Sequence, residues 1–511
     1  MSLTYSASVT RLDTIETLKR RLPQGNRIRL FSANVGDEGP KDKSNGTWKS
    51  RPRHFRSSDN LANLAAAERA KSRSRLDSWL RPIHSARDSL FSASSGYTNY
   101  QGFFNLCVIL LILSNVRVAI ENLLKYGILA NPFEWIVIFC TESYRWPVVQ
   151  IFLLCSLFVG SALKIEQFLA QKRVSEDLGL TLQILNGLFL LGIPASIVFW
   201  IKPLPVASGF CLGICSICFL KLVSYAQVNG WCRVTRMRPS ASKAILNNHK
   251  ITQEQLKTPL LYPDNLTLSN ISYFMFAPTL CYELNYPRTP RIRKGFLIKR
   301  FLEVVILANI IVALSQQWIV PLMKNSVVPL IDMNTGLMIE RLLKLSVPNH
   351  LIWLVVFYWL FHSVLNATAE LLRFADREFY LDWWNSETIQ YFWRAWNIPV
   401  HRWCVRHLYK PLISRGYTKC QACTAVFFVS AFFHEYLISV PLSMFRIWAF
   451  SGMLAQIPLQ WVTGSLVKGR YGNMVVWLSL ILGQPLCIFM YFHDYYIMQF
   501  MNQTDEPCVL S

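Results

Sequence analysis

The sequence is poor in acidic residues and lacks the signatures of a disulfide-rich or zinc-binding protein. Only 30 Asp and Glu residues stand against 52 Lys and Arg, which gives a formal charge of +22. The 13 cysteines lie mostly in apolar segments and do not follow a disulfide or zinc spacing. The first hundred or so residues are polar, so we expect no cleavable signal peptide there.

Patterns typical of two other functional classes are also missing. No Gly-x-Ser-x-Gly elbow surrounds a serine, which disfavours a serine hydrolase. We find neither an internal repeat nor a matched pair of broken hydrophobic helices, the usual indications of a transporter. A membrane transporter with a proton relay and a purely structural membrane scaffold are kept as less favoured alternatives.

Long apolar segments, by contrast, are abundant. Hydrophobic residues make up 52% of the chain and the mean hydropathy is +0.27. Taking ~20 apolar residues as the spanning length, we predict an all-α polytopic membrane protein with about nine spans. The predicted span cores are residues 103–124, 146–168, 180–201, 207–222, 296–320, 350–372, 420–444, 447–467 and 473–498.

The charge pattern predicts the domain organisation and the orientation. Residues 1–98 are rich in Ser, Arg and Lys, so we expect a basic, largely disordered tail before a membrane-embedded core at 99–511. Basic clusters follow the fourth, sixth and eighth predicted spans. Because cytoplasmic loops are enriched in Lys and Arg, the tail is predicted to be cytosolic and the C-terminus luminal. The same rule explains the positive charge by the cytoplasmic loops of a membrane protein, so we predict no nucleic-acid partner.

One apolar segment, residues 425–441, contains the ionisable pair His434 and Glu435. A charged residue at bilayer depth costs roughly 2.5–3.5 kcal/mol, so such residues mark candidate functional sites. The alternative is that His434 only hydrogen-bonds a neighbouring helix. Adjacent residues on a helix point about 100° apart, so Glu435 is expected to support a neighbouring element and not to orient the imidazole directly. Ser430 lies four residues earlier, on the same face as His434.

Two polar segments interrupt the apolar pattern. Residues 377–419 combine tryptophans with Arg and Lys, a mixture suited to a ligand with phosphates and an adenine ring. An amphipathic interfacial helix anchored by its tryptophans is the alternative interpretation. Residues 276–293 contain several prolines and are predicted either to cover the active site or to fix the helix that follows.

Four motifs resemble the membrane-bound O-acyltransferase family: APTLCYELNYPR (277–288), FYLDWWN (379–385), WNIPVHRW (396–403) and FFHEYLISVP (432–441). The similarity runs from about residue 89 to residue 496. It implies an intramembrane reaction chamber in the endoplasmic reticulum, where acyl-CoA acylates the free hydroxyl of diacylglycerol to give triacylglycerol. It also implies a homodimer or homotetramer among membrane lipids. A sterol O-acyltransferase of the same family is the alternative.

The resemblance further implies which residues form the site. His434 is the expected general base, and Asn397 and Glu435 are grouped with it as catalytic residues. A base within hydrogen-bond reach of an alcohol typically contributes about 10²–10⁴ in rate. We expect no metal and no cofactor, with acyl-CoA acting as co-substrate. The expected substrate-binding residues are Phe379, Tyr380, Asp382, Trp383, Trp384, Asn385, Trp396, His401, Tyr409, Lys410, Lys419, Ser430, Met453, Gln456 and Gln484.

Overall fold

Helices dominate the computed structural model of the chain. It describes residues 84–97, 99, 101–113, 124–129, 131, 148–236, 260–327, 329, 334–467 and 469–504. Within these ranges, extended backbone forms only two isolated bridges, Arg87 with Asp376 and Arg288 with Phe374. The predicted all-α class is therefore confirmed for the described residues, and the part of the predicted tail before residue 84 lies outside them.

The first helices of the described core are mostly long and apolar. They are α1 (Gln101–Leu113), α2 (Val148–Ala170), α3 (Glu176–Ile201), α4 (Pro205–Arg236) and the short α5 (Leu268–Phe276). The start of α3 is set by Ser175, whose hydroxyl accepts a hydrogen bond from the Leu178 N–H. Buried side chains of α2, α3 and α4 pack against one another in one apolar cluster.

The next helices change pitch within their length. Helix α6 (Lys294–Leu314) and helix α7 (Thr335–Phe357) each continue through a π-helical turn into a further α-helical segment. Helix α8 (Ile389–Ala395) is short, and α9 (Ile398–Cys404) again continues through a π-helical turn to Ser414. The last helices are α10 (Lys419–Ser439), α11 (Trp448–Leu454), α12 (Gln456–Ser465) and α13 (Arg470–Thr504).

Six helices in the described ranges are long and apolar enough to cross a membrane. They are Leu153–Ala170, Glu176–Ile201, Pro205–Val234, Thr335–Leu371, Lys419–Ser439 and Arg470–Met498. Each overlaps one of the predicted span cores, so the polytopic membrane class is confirmed. The predicted total of about nine spans, which rests on the ~20-residue spanning length, stays a prediction.

The predicted span at residues 447–467 is instead two short helices, α11 and α12. Pro458 lies in the first turn of α12, and without an N–H it cannot continue the hydrogen-bond ladder of α11. Neither helix reaches the ~20 residues that a straight span needs. The chain here folds back beside α10 and packs a buried Met453 against it.

The motif FYLDWWN lies at the centre of the largest buried cluster. Trp383 is 1% exposed and meets Phe357 edge-on at 4.9 Å between ring centroids, and Trp477 of α13 at 5.5 Å. The amide of Asn473 donates to the carbonyl oxygens of Trp384 and Ser386 at 3.0 and 2.8 Å. These contacts fix α13 against the motif.

Residues 84–97, which were predicted to belong to the tail, also pack on this motif. Phe91 stacks on Trp384 with 4.9 Å between the ring centroids. The Tyr97 hydroxyl donates a 2.7 Å hydrogen bond to Asp382. This stretch therefore contributes to the packing of the membrane-embedded core.

A close backbone approach at Gly102 gives a stability prediction. A Cβ at Gly102 would overlap the Trp384 carbonyl group, so Gly102→Ala forces α1 away from the FYLDWWN motif. We expect a loss of about 1–3 kcal/mol, typical of overpacking, visible as a lower melting temperature in detergent. Gly295→Ala is the matched control, because no atom lies within 4 Å of its added Cβ. Equal melting temperatures for both variants would contradict the close approach.

Candidate active site

His434 lies on α10 with its ring held by the backbone of the same helix. Its Nδ1 is 2.8 Å from the carbonyl oxygen of Ser430, one turn earlier. A carbonyl oxygen can only accept a hydrogen bond, so Nδ1 carries the proton in this arrangement. In the neutral imidazole, Nε2 then keeps its lone pair. The contact therefore leaves Nε2 as the atom that can take a proton.

The His434 side chain is exposed and lies between two packed flanks of α10. On one flank of its helix face, Phe427 and Ala431 pack against α11. On the other flank, Phe433 and Leu437 pack in the cluster that α10 shares with α3 and α4. The imidazole is accessible between these flanks. His434 therefore lies on an accessible face of α10, between the side packed against α11 and the side packed against α3 and α4.

Glu435 ties three helices together and does not contact the imidazole. Its carboxylate accepts hydrogen bonds from the Phe450 N–H of α11 at 3.0 Å and from the Tyr491 hydroxyl of α13 at 2.8 Å. The Ser439 hydroxyl donates to the other oxygen. Through these bonds Glu435 holds α11 and α13 beside the helix that carries His434.

Asn397 occupies the start of α9. Its side-chain oxygen accepts from the Val400 N–H at 3.2 Å, the contact of an N-cap residue. The backbone on either side pairs with the FYLDWWN motif, because the Ile398 N–H donates to the Phe379 carbonyl at 3.0 Å. The two motifs therefore form one unit.

His401, on the next turn of α9, is half-buried. Burial, with the nearby charges of Arg394 and Arg402, lowers the pKa of its imidazole below the ordinary value. His401 is therefore neutral at pH 7 and adds no charge to this surface.

The side chains of FYLDWWN are used for packing in this structure. Phe379, Tyr380, Trp383 and Trp384 are all almost fully buried. Asp382 and Asn385 bond within the core, since the Asn385 amide donates to the Tyr97 hydroxyl at 2.7 Å. Trp396 is also packed, stacking on Trp353 at 5.1 Å. Contact of these residues with acyl-CoA stays a prediction.

Gln484 lies on α13 and Gln456 on α12. Met453 lies on α11 and packs against α10. Gln484 is exposed, and its side-chain oxygen accepts from the Asn349 amide at 3.4 Å. It lies seven residues before Tyr491, on the same face of α13 that reaches Glu435. Gln456 is half-buried at the start of α12. No described contact joins Gln484 directly to His434.

Tyr409 and Lys410 lie in the helical continuation of α9, and Lys419 begins α10. Lys410 and Lys419 are exposed, and Tyr409 is half-buried. Lys419 is the first residue of α10, after a capping box formed by Thr418 and Gln421. At 1.5 Å per residue, His434 lies about 22 Å further along the helix axis. One helix thus joins the basic surface to His434, the predicted base.

A buried ionic cluster beside FYLDWWN was not predicted from the sequence. Asp376 is 3.1 Å from His84 Nδ1 and 2.7 Å from the Arg402 guanidinium, and Arg402 also reaches Glu378 at 2.5 Å. Burial acts to raise the pKa of Asp376, but the His84 hydrogen bond and the Arg402 charge outweigh it and hold the pKa below its ordinary value. The alternating charges Asp376-Arg377-Glu378 before the motif were the available signal.

This cluster predicts how stability depends on pH. Because the pKa of Asp376 is lowered in the folded state, its contribution is present above the ordinary carboxyl pKa and is lost as the pH falls through the folded-state pKa. Arg402→Met removes the charge that lowers it. We expect a loss of about 3 kcal/mol at pH 7 and acid destabilisation that begins at a higher pH.

Thermal unfolding in detergent from pH 7 down to pH 3 measures both effects. Arg291→Met, at an exposed arginine on the neighbouring segment, is the matched control. Unfolding curves for Arg402→Met that coincide with the unsubstituted protein at every pH would contradict the role of the cluster.

The chain is similar over most of its length to proteins of known family. Residues 182–493 match the family model described as MBOAT, membrane-bound O-acyltransferase family. The chain is 53% identical over 421 residues to "Diacylglycerol O-acyltransferase 1" of Bos taurus, covering 82% of this chain and 86% of that protein. The protein of that name from Homo sapiens is 52% identical over 429 residues, covering 84% and 87%. The one from Dictyostelium discoideum is 39% identical over 415 residues, covering 81% and 65%.

His434, Asn397 and Gln484 all fall inside the matched region. The predicted resemblance is confirmed, and the chain belongs to the membrane-bound O-acyltransferase family.

Proposed function

We propose that this protein is an acyl-CoA:diacylglycerol O-acyltransferase, which moves a fatty acyl group from acyl-CoA to the free hydroxyl of diacylglycerol. The identities of 53% and 52% to proteins that carry the name diacylglycerol O-acyltransferase 1 support this acceptor. They favour it over the sterol alternative. A transporter is disfavoured, because the family model describes an acyltransferase.

The observation that carries the mechanism is the bond between His434 Nδ1 and the Ser430 carbonyl. With Nδ1 protonated, Nε2 takes the proton of the diacylglycerol hydroxyl as its oxygen attacks the thioester carbonyl. The carbon–sulfur bond then breaks, and the proton passes from Nε2 to the departing CoA sulfur. An ester and free CoA result, and His434 returns to its starting state.

Asn397 and Gln484 are proposed to stabilise the oxygen that gains negative charge during the attack. Neutral amide donors do this without adding a buried ion to the site. Glu435, bonded to Phe450 and Tyr491, keeps the surrounding helices in place. Its role is to position α10 and not to exchange a proton.

Acyl-CoA is proposed to bind with its phosphates near Lys410 and Lys419 and with its thioester toward His434. Both lysines are exposed, as phosphate ligands at a membrane surface must be. We place this surface in the cytosol, with the protein in the endoplasmic reticulum membrane as a homodimer or homotetramer. Diacylglycerol then reaches the site from the surrounding lipid.

His434→Ala tests the base. We expect kcat for triacylglycerol formation to fall by about 10²–10⁴, because the hydroxyl loses its proton acceptor. The assay supplies labelled oleoyl-CoA with diacylglycerol, or with cholesterol to test the alternative acceptor, to microsomes that contain the variant.

Ser430→Ala is the informative comparison, since it keeps the carbonyl that orients His434. We expect kcat of this variant to fall less than about tenfold. That is well below the 10²–10⁴ that loss of the base itself costs. Near-normal ester formation by His434→Ala, with expression matched, would show that another group is the base. Ester formation on cholesterol alone would refute the proposed acceptor.

Lys419→Gln tests the phosphate site. Removal of a charge that binds substrate and transition state equally raises the KM for acyl-CoA with little change in kcat. Lys294→Gln is the matched control, because Lys294 is likewise an exposed first residue of a helix, α6. A fall in kcat without a rise in KM, or the same rise in KM for both variants, would contradict the assignment.

A further inference from the structure

The first five residues of α10 include two cysteines, Cys420 and Cys423, that the mechanism does not use. Cys420 is exposed and Cys423 is half-buried. Residues three apart on a helix have Cβ atoms about 5–6 Å apart. A disulfide needs about 3.5–4.5 Å. A small adjustment at the helix end, where only one turn has to move, is therefore enough to join them.

The surroundings favour reaction with a small anionic disulfide. Lys419 precedes the pair, and the exposed Arg415 lies four residues before the helix. The helix N-terminus adds partial positive charge. Positive charge of this kind raises the local concentration of anionic reagents such as oxidised glutathione. The exposure of Cys420 gives such a reagent access to its sulfur.

The pair lies on the helix that leads to the proposed base. Cys423, Phe427, Ser430 and His434 follow one another at spacings of four, three and four residues, which places them on one face of α10. Cys423 lies about 16 Å before His434 along the axis. It packs in the cluster that contains Phe427 and Met453 of the neighbouring helix.

We propose that Cys420 and Cys423 form a reversible redox site that is oxidised by glutathione disulfide. The Cys420 sulfur attacks one sulfur of the reagent, and one glutathione leaves as its thiolate. The Cys423 sulfur then attacks the Cys420 sulfur of the mixed disulfide, and the second glutathione leaves. Two cysteine thiols lose two protons and two electrons, and one glutathione disulfide becomes two glutathione molecules.

Oxidation changes the shape of the first turn. Closing the bond draws the two Cβ atoms together by about 1–2 Å. That movement shifts Lys419, the adjacent residue, and pulls Cys423 away from the cluster around Phe427 and Met453. The oxidised protein therefore binds acyl-CoA more weakly, a consequence that rests on the proposed function, whereas formation of the disulfide does not.

The chemical test uses the full-length protein in detergent, equilibrated with defined ratios of reduced to oxidised glutathione. Free thiols are then blocked with N-ethylmaleimide and the peptides analysed by mass spectrometry. We expect a disulfide between Cys420 and Cys423, and a mixed disulfide at Cys420 in Cys423→Ser. Cys107, also exposed, is the internal control and is expected to form at most a mixed disulfide. Absence of the internal disulfide at every ratio would overturn the proposal.

The functional test measures acyl transfer before and after oxidation. The KM for acyl-CoA is expected to rise about two- to fivefold. This is the factor expected when a phosphate loses part of its interaction with a helix N-terminus. The doubly substituted Cys420→Ser, Cys423→Ser protein should show no change with oxidant. An unchanged KM in protein shown to be oxidised would refute the effect on binding. Absence of activity in the reduced protein would instead refute the proposed function, leaving the disulfide result intact.

Discussion

The hydrogen bond between the His434 ring and the Ser430 carbonyl is the contact on which the proposed chemistry depends. It fixes the tautomer with an oxygen that the helix itself supplies, so no second charged side chain is needed to orient the ring. A buried charge inside the membrane would cost roughly 2.5–3.5 kcal/mol, so a neutral partner is the less costly solution. The arrangement requires only that α10 stay helical through this turn.

The position of α10 in turn depends on contacts far along the chain. Glu435 joins it to α11 and α13. Helix α13 is held by Asn473 and Trp477 against the buried FYLDWWN motif. The motif is bonded through Phe379 to the start of α9. The aromatic core, the ionic cluster at Asp376 and the helix that carries His434 therefore form one connected framework.

Local patterns in the sequence predicted the parts that depend on helix periodicity. The lengths of the apolar segments identified the six confirmed spans. The 100° rotation between adjacent helix residues correctly indicated that Glu435 does not hydrogen-bond the imidazole of His434. The partners of Glu435, at positions 450 and 491, lie too far along the chain for any periodicity to identify them. The packing of residues 84–97 was missed for the same reason, since Phe91 meets Trp384 only in the folded chain. The break before α12 was readable in principle, because Pro458 cannot continue a helix.

The most direct measurement is a structure with a bound diacylglycerol analogue and an unreactive acyl-CoA analogue, in which a methylene group replaces the thioester carbonyl and leaves a thioether. If His434 is the base, its Nε2 lies about 2.6–3.2 Å from the free hydroxyl of the acceptor, with Nδ1 still on the Ser430 carbonyl. An Nε2 directed into lipid, away from both ligands, would contradict that role.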